Sequence, residues 1–160
     1  MAILPATGNK AGQIEPKGEI RTESKNLAVN NQAFVRGDVL SLNVAGTWRK
    51  CTSGDVGPFA MCITDKATTA TRVEYIDQVG AEVYVVADGV IRPERFVKAS
   101  TATDGQVMEH NPSTGTSADT VDEIIGKYIK RAIYVPEGDG VTATANAADG
   151  DVIIIRLGKQ

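Results

Sequence analysis

The residue types that most enzymes use for chemistry are sparse in this chain. The 160 residues include one histidine, His110, so a Ser/His/Asp or Cys/His site would have to contain it. His110 lies between Glu109 and Asn111-Pro112, at the beginning of a polar loop, where we expect a solvated imidazole. The sequence therefore predicts no catalytic residue, and a small β-barrel hydrolase that depends on His110 is the enzyme alternative.

Acidic residues and glycine-rich loops also lack the spacing of a known site. Asp122–Glu123 and the pair Asp149 and Asp151 are expected in loops or at strand ends, where carboxylates are usually solvated. The EF-hand spacing of calcium ligands is absent. The loops at 54–57 and 138–140 are not followed by Lys-Ser/Thr and a helix, so they predict no phosphate site. We expect neither a metal nor a cofactor.

Two cysteines, Cys51 and Cys62, lie next to predicted strands. Together with His110 they are too few for a zinc site. The sequence favours two small buried thiols in a reducing compartment. A disulfide across a hairpin is the alternative, and it would require the two Cα atoms to lie within about 7 Å of each other.

The distribution of charge argues against nucleic acid as a direct partner. The formal net charge is −3 and the pI is near 5.2. Lysines are scattered among acidic residues, whereas phosphate contacts require basic clusters. Residues 1–5 have neither a basic start nor a long apolar stretch, so we expect no signal peptide, and no apolar run is long enough to span a membrane. We expect synthesis in the cytoplasm and no membrane partner.

Short apolar runs separated by glycine-bearing turns predict a mainly β fold. Val83–Val86 is followed by Asp88-Gly89 and then Val90-Ile91, a sequence typical of a tight hairpin because glycine adopts the positive φ of the turn. Val152–Leu157 predicts a last strand. Similar runs give roughly eight to ten strands at about ten-residue spacing, as in a β-sandwich or barrel. The other predicted strands span residues 20–23, 33–42, 48–51, 59–63, 72–76, 96–99, 105–109 and 132–135.

Three segments need a separate interpretation. Residues 123–129 have helical spacing, but their β-branched residues and Gly126 favour a strand. Residues 64–70 and the stretch just before Phe96 are weak helix candidates. Arg36-Gly37-Asp38 spells an integrin-binding tripeptide, yet Gly-Asp before an apolar run is interpreted as a turn.

The sequence predicts a single β domain preceded by an N-terminal arm. Residues 18–160 form a small antiparallel β-barrel or sandwich of the β-tulip kind, and residues 1–17 form an extended N-terminal arm punctuated by proline and glycine. The apolar residues Ile3, Leu4 and Ile14 follow no period, and they are candidate anchors for an arm that orders against a partner. A tail without a partner is the alternative.

The order of several segments resembles one family of viral proteins. These segments span residues 34–40, 57–67, 83–90, 125–128 and 152–157, and together they cover roughly residues 30–158. The chain resembles the small capsid decoration (cement) proteins of tailed bacteriophages and related viruses. That family includes the DUF2190-type group and, more distantly, the lambda head-stabilising protein.

The resemblance implies a β-barrel-like body that forms a homotrimer on the exterior of an expanded capsid. The trimer would sit at local threefold axes and stabilise the virion by bridging major capsid proteins. The arm would bind the major capsid protein through Ile3, Leu4, Pro5 and Ile14. The family has no catalytic residues to carry over, so the expected protein is structural and not an enzyme.

A ligand- or carbohydrate-binding β-sandwich on a virion surface is the alternative function. Such a module would need an exposed aromatic platform. Trp48 and four tyrosines are spread over several predicted strands, which favours their use in core or interface packing. The aromatic residues concerned are Trp48, Tyr75, Tyr84, Tyr128 and Tyr134.

Overall fold

Ten strands and one short 3₁₀ helix form the part of the chain that the computed structural model describes, namely residues 11, 23–25, 31–112, 118–131 and 145–158. The mainly β prediction is confirmed. The elements in chain order are β1 Glu23–Lys25, β2 Val39–Leu42, β3 Trp48–Lys50, β4 Phe59–Cys62, β5 Val73–Ile76, β6 Glu82–Val86, β7 Phe96–Ala99, β8 Val107–Glu109, the 3₁₀ helix Val121–Glu123, β9 Gly126–Arg131 and β10 Val152–Leu157.

The first five strands form one antiparallel sheet, sheet I, in the order β1-β5-β4-β2-β3. Its strands bury side chains on both faces. Val39, Met61 and Ile76 pack toward the second sheet. Leu40, Trp48 and Tyr75 pack on the other face, where the Trp48 and Tyr75 ring centroids lie 4.8 Å apart.

The last five strands form a second antiparallel sheet, sheet II, in the order β6-β10-β9-β7-β8. Sheet II curls into a half-barrel. An isolated parallel bridge between Ala87 and Val107 joins the end of β6 to β8, so the first and last strands of the sheet approach each other. The curled sheet packs around the main hydrophobic core, to which β10 contributes Ile153, Ile155 and Leu157.

Strand β10 has apolar side chains on both faces, and both faces are packed against other residues of the protein. Ile153 and Ile155 face the core, whereas Ile154 packs with Tyr84 on the opposite face. A short continuous apolar run of this kind is typical of a fully buried strand. The sequence prediction for Val152–Leu157 is therefore confirmed in its bounds.

The predicted hairpin at Asp88-Gly89 is wrong in its pairing. Gly89 does adopt a positive φ of 91°, but β6 pairs with β10 over five residues and Ile91 forms a bridge with Ala147. The long β-branched run of β10 offers β6 more pairs than a two-residue run after the turn. A distant segment therefore outcompetes the local one.

The described residues decide some of the remaining sequence predictions and leave others untested. The segment 123–129 divides into the end of the 3₁₀ helix and β9, so strand is correct for its second half. Residues 64–70 and 92–95 contain no helix, and Phe34 instead bridges Lys66. The proposed first strand 20–23 meets β1 only at Glu23, and the proposed strand at 132–135 and the whole arm apart from Ala11 lie outside the described residues.

Candidate interaction surface

His110 is buried, which corrects the expectation of a solvated imidazole. Its side chain is part of a residue only 4% exposed, and Nε2 lies 2.8 Å from the Thr120 carbonyl oxygen. That oxygen can only accept, so Nε2 carries the hydrogen. His110 is thus a donor that fastens the segment leading into the 3₁₀ helix.

A buried ion pair fastens the same segment from the other side. Lys98 Nζ lies 2.5 Å from Asp119 Oδ1, and both side chains are nearly nine-tenths buried. The second carboxylate oxygen accepts a hydrogen bond from the Asn111 amide at 2.7 Å. Burial alone would raise the pKa of Asp119, but the hydrogen bonds from Lys98 and Asn111 and the charge of Lys98 hold it below its usual value. Asp119 is therefore ionised and fixed in place at neutral pH.

The 3₁₀ helix itself is capped at its N-terminus by Thr120. The Glu123 carboxylate accepts a hydrogen bond from the Thr120 amide at 2.5 Å, as in a capping box. The Asp122 carbonyl accepts one from the Gly57 amide at 3.3 Å, which ties the helix to the loop before β4. With both ends held, the helix presents Val121, which is 65% exposed.

An apolar groove lies on one side of this helix, and we call it groove A. Its volume is about 440 Å³, within the range of pockets that receive small ligands or side chains. It is lined by Gly57, Pro58, Phe59, Asp77, Val79, Ile124, Ile125, Leu157 and Gly158. Residues from both sheets contribute, so the groove marks the seam between sheet I and the half-barrel.

A second groove, groove B, also adjoins the 3₁₀ helix. Its volume is about 350 Å³, and Ile124 borders both grooves. It is lined by Glu94, Arg95, Phe96, His110, Pro112, Val121 and Ile124. The imidazole of His110 contributes a wall here, but its hydrogen bond is directed to the backbone of Thr120.

Three exposed valines line these grooves or adjoin a lining residue in the sequence. Val79 lines groove A and is 64% exposed, Val121 lines groove B, and Val56 precedes Gly57 and is 52% exposed. We call these three residues the valine surface. Large apolar side chains left in water next to apolar grooves are typical of a protein-contact surface. No sequence pattern indicates this surface directly, although Thr120-Val-Asp-Glu123 has the capping-box pattern that marks the helix.

The cysteines are free and buried, as the favoured interpretation predicted. Burial raises the pKa of Cys51 to about 12 and that of Cys62 to about 11. Both thiols are consequently neutral at physiological pH, and a neutral buried thiol is a poor nucleophile.

The remaining candidate residues for chemistry have structural partners. Asp149 accepts from the Gly89 amide at 3.1 Å and Asp151 from the Ala148 amide at 2.8 Å, so both are turn acids as expected. Asp38 is buried, accepts from the Val35 amide at 2.8 Å and lies 3.3 Å from Lys50 Nζ, which makes Arg36-Gly37-Asp38 a structural turn. Over the described ranges, no three His, Cys, Asp or Glu side chains are grouped as metal ligands.

The aromatic residues are used mainly for packing. Trp48, Tyr75, Tyr84 and Tyr128 are all buried, and Tyr128 donates its hydroxyl hydrogen to the Ala145 carbonyl at 2.7 Å. Tyr134 lies outside the described residues. The expectation of core packing is confirmed for these four residues.

The arm residues Ile3, Leu4, Pro5 and Ile14 also lie outside the described residues, so their role stays a prediction. Within the described chain, no helix has the length and apolar character needed to cross a bilayer. No protein-family model matches the chain, and a comparison with curated proteins finds no match.

Proposed function

We propose that this chain is a capsid decoration protein that binds the exterior of an expanded viral capsid and stabilises it by bridging major capsid proteins. The observation that carries the binding part is the valine surface. Val56, Val79 and Val121 are exposed beside two apolar grooves on a body whose loops are fixed by buried hydrogen bonds. The assignment to a capsid rests on the sequence resemblance over residues 30–158.

The rigidity of the surface supports a mechanical role. The segment that carries Val121 is held by His110, by the Lys98–Asp119 pair and by the amide of Gly57. Little conformational entropy is then lost when a partner covers the valine surface, and preorganisation of this kind increases affinity. A cement protein must resist separation of the capsid proteins that it bridges, and a preorganised contact surface helps because it binds them more tightly.

The proposed oligomer is a homotrimer at a local threefold axis. Sheet I ends in the edge strands β1 and β3, and an edge strand presents backbone groups that a second chain can pair with. A trimer binds a capsid through three contacts at once. Linked contacts of this kind raise the overall affinity by about 10²–10⁴-fold over a single one.

The arm is the second contact in this proposal. Ile3, Leu4, Pro5 and Ile14 would bind the major capsid protein, while the valine surface contributes to the body's contact with capsid or neighbouring copies. Both contacts would be stabilised by the hydrophobic effect. Burial of aliphatic surface contributes about 25 cal/mol of free energy for each Å² removed from water.

The experiment is co-sedimentation with bare expanded capsids of the virus that encodes the chain. We expect Val121→Asp and the double variant Ile3→Asp/Leu4→Asp to bind at least about tenfold more weakly, since a buried carboxylate without a partner costs more than 1.4 kcal/mol. Val90→Asp is the matched control. Val90 is 63% exposed, nearly as much as Val121, but it follows the C-terminal end of β6 and is not part of the valine surface.

Two results would refute the proposal. One is wild-type protein that fails to sediment with expanded capsids at any ratio. The other is a strict monomer both in solution, by light scattering, and on the particles, which would remove the trimer from the account.

A further inference from the structure

Residues 35–38 form a fixed turn that presents an apolar side chain next to a cation. The Asp38 amide donates to the Val35 carbonyl at 3.1 Å, the Asp38 carboxylate accepts from the Val35 amide at 2.8 Å, and Gly37 adopts a φ of 93°. Val35 is 55% exposed, and Arg36 is exposed as well. Because the Asp38 carboxylate is buried and bonded within the turn, the side chains that a partner can reach are those of Val35 and Arg36.

The guanidinium of Arg36 forms no ion pair with the described part of the chain. The backbone amide of Arg36 does donate to the Asp65 carboxylate at 2.9 Å, and this bond holds the turn against the segment that follows β4. The turn therefore joins an exposed aliphatic side chain to a cation whose charge is not neutralised by a bonded carboxylate.

Groove A offers the complementary chemistry. Asp77 is the one charged residue in its described lining, and the other lining residues are glycine, proline or apolar. Asp77 is exposed and, over the described ranges, has no ion-pair partner. A carboxylate beside an apolar floor is complementary to an aliphatic side chain joined to a cation, and a guanidinium can bind a carboxylate through two parallel hydrogen bonds.

The turn and groove A are attached to opposite ends of β4. The Gly37 amide donates at 2.9 Å to the carbonyl of Cys62, the last residue of β4, whereas Phe59, the first residue, lines groove A. The two ends lie about 10 Å apart along the strand, at roughly 3.4 Å per residue. Because the turn and the groove are both fixed to the same strand, the turn cannot fill the groove of its own chain. A second copy can supply it.

We propose that the turn at residues 35–38 of one copy docks in groove A of a second copy, with Val35 on the apolar floor and Arg36 paired with Asp77. The contact joins two different patches, and repeated contacts of this kind close into a ring or continue as a filament. The inference rests on the self-association in the proposed function and adds the two surfaces that meet. Capsid binding is measured separately by co-sedimentation, so failure of this contact and failure of capsid binding give different results.

Disulfide trapping between two full-length copies tests the contact. One copy carries Val35→Cys and the other carries Val79→Cys, and an isotope label on one copy distinguishes the products by mass after mild oxidation. Cys51 and Cys62 are buried and have raised thiol pKa values, so they should not compete. The matched control replaces the second copy by Val90→Cys, because Val90 is 63% exposed and Val79 is 64% exposed.

We expect a disulfide between positions 35 and 79 of different copies, formed several-fold faster than the control product and than the dimers of either variant alone. Asp77→Arg in the Val79→Cys copy should slow this reaction roughly twofold to fivefold, the range of an exposed ion pair, and Arg36→Asp in the other copy should restore it. A rate equal to that of the control would overturn the docking. Faster dimers of Val79→Cys with itself would also overturn it, because they indicate a symmetric contact between two A grooves.

Discussion

Gly126 in β9 provides the sharpest test of the packing at the seam that forms groove A. It lies between β10 and β7, opposite Leu157 on one side and Val97 on the other. A Cβ atom added at Gly126 would lie 2.4 Å from the Arg156 carbonyl oxygen and 3.0 Å from the carbonyl carbon of the same residue. Both atoms belong to the backbone, so they cannot turn away as a side chain would.

Two effects of Gly126→Ala have opposite signs. Glycine in the middle of a strand costs roughly 0.5–1 kcal/mol relative to alanine, so propensity alone predicts stabilisation. Overpacking a close-packed site costs about 1–3 kcal/mol, and more where only backbone can move. Because the distance of 2.4 Å is far below van der Waals contact, the steric cost should win. We expect a net destabilisation of about 1–2 kcal/mol.

Urea unfolding followed by fluorescence or circular dichroism measures this effect. With an m-value of about 2 kcal/mol/M, the midpoint should fall by roughly 0.5–1 M. Gly57→Ala is the control, because the nearest atom to its added Cβ would be a Phe59 ring carbon at 3.4 Å, an ordinary contact. A midpoint for Gly126→Ala equal to or above that of the wild type would refute the close approach of β9 to β10.

Two further predictions concern titratable groups. Asp119→Asn should lower the free energy of unfolding by about 1–3 kcal/mol at pH 7, because it removes a charged hydrogen-bond partner of Lys98. The depressed pKa of Asp119 means that this stabilisation is fully present above the ordinary pKa of about 3.9 and is lost as the pH falls through the lower pKa of the folded state. The difference in urea midpoint between variant and wild type should therefore shrink progressively as the pH is lowered below about 3.9, and a difference that does not change with pH in this range would contradict the assignment. Cys51 and Cys62 should react with a thiol reagent at pH 8 far more slowly in the folded protein than in denaturant, and rapid labelling of the native state would contradict their burial.

The strands were predictable where the pattern is local. Val152–Leu157 and Phe59–Cys62 are short apolar runs, and their burial requires only that a sheet forms around them. The partner of β6 was not predictable in the same way. Asp88-Gly89 carries the local signal of a hairpin, but pairing with β10 depends on residues more than sixty positions away.

The candidate surface was less accessible to sequence reasoning than the fold. The side chain of buried His110 hydrogen-bonds to the carbonyl of Thr120, ten residues later in the chain, and no local sequence pattern predicts this contact. Exposed valines such as Val79 and Val121 have the same residue type as core valines, so composition cannot separate them. The one local signal was the capping-box spacing from Thr120 to Glu123.

The most direct test of the central proposal is calorimetry of bare and decorated expanded capsids. If the chain cements the capsid, bound protein adds free energy to the assembled state, about 2.7 kcal/mol per site at a free concentration of 100 times Kd. The melting temperature of the shell should therefore rise with occupancy up to saturation. Equal melting temperatures for bare and fully occupied capsids would contradict the stabilising role.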